Sequence, residues 1–136
     1  MERKDITELL GRFLKEQNLD LIAPYLHSNI IYATDGLVGE EIGEDRNVEY
    51  PDVLFGLGAF IAHFKNKFQA GVKPLNVTSY YVHPLERGCK HFLLLKKEQG
   101  EPKQMMMLVE ELMPPLCFCQ IIMIHRRNLI DLNRLL

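Results

Sequence analysis

Two segments near the C-terminal end restrict the fold most. Residues 103–111 (KQMMMLVEE) and 116–125 (LCFCQIIMIH) carry apolar side chains at consecutive positions. Along a strand, successive side chains point to opposite faces. Met105, Met107 and Val109 therefore oppose Met106 and Leu108, while Leu116, Phe118, Ile122 and Ile124 oppose Cys117, Cys119, Ile121 and Met123. A strand with one wet face alternates apolar and polar residues. These two do not, so both faces of the sheet need a cover.

Helices can supply one cover. Ile6, Leu9, Leu10, Phe13 and Leu14 recur at helical spacing over residues 5–16, with Asp5 and Glu8 placed as a variant capping box. A third helix is expected over 56–69, where Leu57, Phe60, Ile61, Phe64 and Phe68 form a second stripe and Gly71 marks the stop. Between them a short helix over 18–27 carries Leu19, Ile22 and Leu26, with Pro24 expected to kink or shorten it and Asn18 or Asp20 as its cap. Strands are expected over 29–34, 75–83, 89–97 and the two segments above, separated by turn-like RG, QGEP and MPP sequences. Residues 35–52 hold three glycines, seven acids and only Arg46 as a base, and read as a long connection with room for a short strand. The tail, 128–136, has the pattern of a final short helix. Helices, then a meander of strands, make an α+β domain.

Its 136 residues suit a single domain, 1–136. A net charge of −2 and a pI near 6.2 give no electrostatic reason to expect nucleic acid. No apolar run approaches the ~18 residues of a membrane span. The opening MERKDITELL lacks the apolar stretch of a signal peptide, and three cysteines is an odd number. Reduced thiols and a cytoplasmic location are expected.

The opening amphipathic helix, then LDLIAPYLHSNIIYATDG, then GAFIAHFKNKF, then consecutive strands, resembles the nuclear transport factor 2-like superfamily, which includes the SnoaL-like polyketide cyclases and ketosteroid isomerases. The resemblance spans most of the chain. It implies a cystatin-like α+β roll, a curved and mostly antiparallel sheet wrapped around N-terminal helices. It also implies a cone-shaped apolar pocket and a tendency to dimerise. Members of that group include isomerases, dehydratases, cyclases, ligand binders and inactive scaffolds, and a shared fold does not choose among them.

Isomerase-like relatives carry a proton-moving carboxylate near the end of the first strand, and Thr34 or Asp35 stands there in this sequence. Asp35 is the catalytic candidate, against the plain alternative that Asp35-Gly36 forms a turn. Tyr32, Tyr80 and Tyr81 could donate hydrogen bonds to a ligand oxygen, although tyrosine is ordinary strand material. His83 and His91 end and begin adjacent strands, so a hairpin could bring them together. Met107 belongs to a methionine cluster that could line a pocket. Cys117 and Cys119 have one residue between them, which is neither the redox spacing nor half of a recognisable zinc site. No metal and no cofactor are expected, and no phosphate-binding or dinucleotide motif is present.

Three functions compete. The first is an apolar small-molecule binder, homodimeric through the outer sheet face. The second is a proton-transfer enzyme built on Asp35. The third is a module that offers the outer face to a different protein. The first is preferred, because the strands are apolar and no acid–base set is complete.

Overall fold

Ile6, Leu10, Phe13 and Leu14 are at most 4% exposed, and they lie along one side of helix α1, Arg3–Glu16. The computed structural model describes residues 3–34, 52–97 and 104–125. Most of the acidic connection and the whole 128–136 tail lie outside them. Asp5 falls in the first turn of α1, where a negative charge complements the helix dipole. The helix ends at Gln17, whose backbone is left-handed (φ 52) and whose side-chain amide donates to the Val72 carbonyl at 2.6 Å.

The expected short helix over 18–27 is instead two single 3-10 turns, Leu19–Leu21 and Ala23–Tyr25. Asn18 caps the first through its side-chain oxygen, which accepts from the Asp20 amide at 3.1 Å. Pro24 has no amide to continue a helix, and the chain becomes extended at Leu26.

Strand β1 (Leu26–Thr34) pairs with the short β2 (Asp52–Phe55), and helix α2 (Leu57–Gln69) follows. Gly56 joins β2 to α2 at φ 93, its amide donating to the Ile30 carbonyl at 2.8 Å. At the other end the Gly71 amide bonds the Phe68 carbonyl and the Val72 amide bonds that of Lys67. Gly71 is left-handed (φ 83), so this is the glycine stop that the pattern predicts.

Four further strands are β3 (Leu75–Leu85), β4 (Gly88–Lys97), β5 (Gln104–Leu112) and β6 (Cys117–His125). The sheet order is β2-β1-β6-β5-β4-β3. Every neighbouring pair is antiparallel except β1–β6, which runs parallel and closes the meander back onto the first strand. Register shifts in β1, β3 and at Glu110/Glu111 mark where the ladder is irregular and can bend. The molecule is thus α+β, with N-terminal helices packed against a curved, unclosed sheet.

One sheet face meets the helices. Ile30 and Tyr32 on β1, Leu93 and Leu95 on β4, Met105, Met107 and Val109 on β5, and Phe118, Ile121 and Met123 on β6 join the α1 and α2 stripes in one core. Its centre is aromatic: the Phe64 ring lies 5.4 Å from Phe13, 4.8 Å from Phe60 and 5.2 Å from Tyr32. On the opposite face, Met106 and Leu108 are also buried, at 9% and 6% exposure. Large residues flank them in register, Leu94 and Ile124 beside Met106 and Phe92 and Ile122 beside Leu108. Toward β1 and β2 that outer face opens, and Ile31, Val53 and Phe55 are exposed.

Candidate functional site

On β4 the buried positions alternate as Cys89, His91, Leu93 and Leu95, and on β5 the inner set runs Met105, Met107, Val109 and Glu111. The same two-residue period that makes these strands core-forming carries one histidine and one carboxylate into the apolar interior. His91 pairs with Val109 and Glu111 with Cys89, so the two polar side chains are diagonal neighbours. His91 Nε2 and Glu111 Oε1 are 3.1 Å apart, and each side chain is 1% exposed. With the proton on Nε2, the imidazole donates to the carboxylate.

That bond satisfies only half of each group. His91 Nδ1 and Glu111 Oε2 are buried without a hydrogen-bond partner. A buried polar atom left unpaired costs ~1–3 kcal/mol, and a carboxylate out of water costs more unless it is fully compensated. The fold nevertheless supports the placement. Gly88 has φ 135, and a side chain there would collide with the Glu111 carbonyl, so only glycine lets β4 approach β5 this closely beside the pair. A third inward polar atom, Thr34 Oγ1, is likewise buried and unpartnered.

The residues singled out from sequence divide into two groups. Tyr32 (1% exposed) and Met107 (0%) lie in the interior. Tyr32 stacks edge-on against Phe60 and Phe64 and lies 5.1 Å from the His63 ring. In register, Tyr32 pairs with Ile121, Ile121 with Val109, and Val109 with His91, so one row across the inner face runs from the tyrosine to the histidine. Tyr80, Tyr81 and His83 come together elsewhere, around a cavity of about 640 Å³ beside β3 and β4. Asp35 lies outside the described residues, and the alternative position, Thr34, faces inward.

The other candidates are placed as follows. His83 and His91 lie on paired strands but on opposite faces, because His83 faces Lys90 and His91 faces Val82. His27 Nδ1 accepts from the Asn29 amide at 2.9 Å. None of the three cysteines is in a disulfide. Cys119 donates to the Glu110 carbonyl at 3.3 Å, and burial, followed by the Glu110 charge, pushes its thiol above the ordinary range. Among the described residues no three His, Cys, Asp or Glu side chains are grouped to hold a metal, and no helix is long and apolar enough to cross a membrane.

Sequence reasoning missed the His91–Glu111 pair. The signal was present: Glu111 continues the Met105, Met107, Val109 phase, and His91 continues that of Leu93 and Leu95.

No protein-family model and no curated protein match the sequence. Solved structures do. One, from Parabacteroides distasonis ATCC 8503, is named "putative ketosteroid isomerase"; it is 11% identical, with 91% of this chain and 87% of that one covered and a TM-score of 0.66. An NTF2-like protein from Anabaena variabilis ATCC 29413 is 10% identical over 90% and 85% of the two chains, at a TM-score of 0.62. An NTF2-like protein of unknown function from Pseudomonas putida KT2440 is 12% identical over 88% and 83%, at 0.63. At 10–12% identity this likeness is one of fold, and the chain has the nuclear transport factor 2-like fold.

Proposed function

We propose that this chain is a small-molecule-binding domain whose ligand is anchored on His91 and Glu111, on the inner face of the sheet. The observation that carries this reading is the pair of buried, unpartnered atoms, His91 Nδ1 and Glu111 Oε2, in an otherwise apolar interior. Binding sites of this kind are mostly apolar, with a few convergent polar groups that fix orientation. A compact apolar molecule with two adjacent hydroxyl donors, such as a cyclic 1,2-diol, would satisfy both acceptor atoms.

The same pair favours a second reading, proton transfer. A histidine held at Nε2 by a carboxylate presents a free Nδ1, which is how a general base is oriented. His91 would accept the ligand's proton and Glu111 would stabilise the imidazolium. Two of the similar structures are named as putative isomerases, which makes an apolar ketone the first probe.

The molecule is proposed to pair with a second copy through the outer sheet face. Ile31, Val53 and Phe55 support this, being exposed 37%, 40% and 71%, with Ile31 and Phe55 in direct register.

Titration calorimetry with apolar cyclic 1,2-diols, and with a 3-ketosteroid for the second reading, tests the site. Wild-type protein should bind at least one of them, and Glu111→Leu should weaken it about tenfold or more, the size of one hydrogen bond to a charged group. No binding across the panel, or equal binding by the variant, would remove the anchor. Conversion of a bound ketone that His91→Gln abolishes would establish the second reading.

A further inference from the structure

The outer face of β3–β5 carries a second constellation, separate from the interior pair. Three rows run across the strands there. Leu94 and Met106 face each other in the first, Tyr81 and Phe92 in the second, and His83 and Lys90 in the third. All six line the cavity of about 640 Å³, a volume within the ~300–1,000 Å³ of small-molecule sites.

The rows are ordered by chemistry. Leu94 and Met106 make an aliphatic floor at one end. In the middle, the Tyr81 ring lies 6.0 Å from Phe92 and 6.4 Å from His83. At the far end the Lys90 ammonium leans over the Phe92 ring, 6.0 Å from its centroid. Glu110 stands directly opposite Lys90 in the ladder, but the ammonium is turned onto the ring and forms no ion pair with it. Among the described residues no acidic side chain lines the cavity.

We propose that this cavity is a binding site for a flat aromatic carboxylate. The aromatic body would stack on Tyr81 and Phe92 above the Leu94–Met106 floor. Its carboxylate would lie against Lys90, with a ring N–H of His83 as second donor. Charge argues for this occupant over a second copy of the chain. A two-fold interface would bring Lys90 and His83 close to their own counterparts, and the nearest acid in their row, Glu110, is not among the described residues that line the cavity. The exposed hydrophobic residues suited to a copy, Ile31, Val53 and Phe55, are at the other edge of the sheet.

The test uses 2-naphthoate and its uncharged relative 2-naphthalenemethanol, titrated into the full chain by calorimetry, with light scattering on the same samples. Naphthoate should bind the wild type more tightly than the alcohol. Lys90→Gln should weaken naphthoate about fivefold or more while leaving the alcohol within about twofold, and Lys90→Arg should restore it. Tyr81→Leu should weaken both. The paired variant His91→Leu with Glu111→Leu, which empties the interior anchor, should leave naphthoate unchanged, so this inference and the interior reading can fail separately. Equal binding of acid and alcohol, indifference to Lys90→Gln, or loss of binding in the interior double variant would overturn the proposal. So would a dimer that naphthoate dissociates, since a second copy would then be the natural occupant.

Discussion

Glu111 stands one diagonal step across the β4–β5 ladder from His91, its Oε1 3.1 Å from Nε2, with both side chains 1% exposed. Their burial makes the pair an energetic liability unless something else completes it. Replacing either partner alone, by His91→Leu or Glu111→Leu, strands the other in the core and should lower unfolding free energy by ~3–5 kcal/mol. Replacing both removes two unsatisfied atoms and should restore most of that loss, or exceed the wild type. Equilibrium urea unfolding of the three variants measures the cycle. If the single losses simply add, the two groups are not coupled.

Gly88 allows the approach of strands that seats Glu111. Gly88→Ala places a side chain in a left-handed backbone and against the Glu111 carbonyl. A cost of ~1–3 kcal/mol is expected from the backbone strain, read as a lower urea midpoint. Alanine at an exposed helical position such as Gly58, where nothing lies within contact distance, should stabilise the protein slightly.

Cys119 gives stability a dependence on alkaline pH. Burial first, and then the Glu110 charge, holds its thiol above the ordinary thiol range. Below that range the thiol is protonated in both folded and unfolded chains, and its contribution is fully present. As pH rises through it, the unfolded chain ionises first and stability falls. Urea unfolding between pH 7 and 10 should show a steeper loss for the wild type than for Cys119→Ala. Parallel profiles would contradict this.

Phe55 is 71% exposed at the edge of the outer face. Should that face join two copies, Phe55→Glu would bury two like charges at the contact and favour the monomer. Light scattering should find a wild-type dimer and a monomeric variant. A wild type that stays monomeric at high concentration would contradict the proposed pairing.

Much of this architecture was legible because its signals are local. The α1 and α2 stripes, the Gly71 stop and the four late strands follow from periodicity and turn residues close together in the chain. The parallel β1–β6 pairing has no such signal, since it joins residues about ninety positions apart, Tyr32 to Ile121. Pro24 predicts a shortened helix over 18–27, and the segment keeps only two single 3-10 turns, with Leu26 already in the sheet opposite Phe118. The site was harder. Tyr81 and His83 look alike in sequence to residues of an inner wall, but the shift between Val77 and Ser79 puts them on the face of Phe92 and Lys90, while Tyr80 pairs with the buried Leu93. Glu111 is readable by phase, but a charged residue near a strand end is usually solvated.

Solving a crystal structure of protein purified from cells would test the account most directly, through the electron density around His91 Nδ1 and Glu111 Oε2. The account predicts a bound molecule with polar atoms ~3 Å from both. A tightly packed interior, in which the chain's own groups satisfy both atoms, would contradict it.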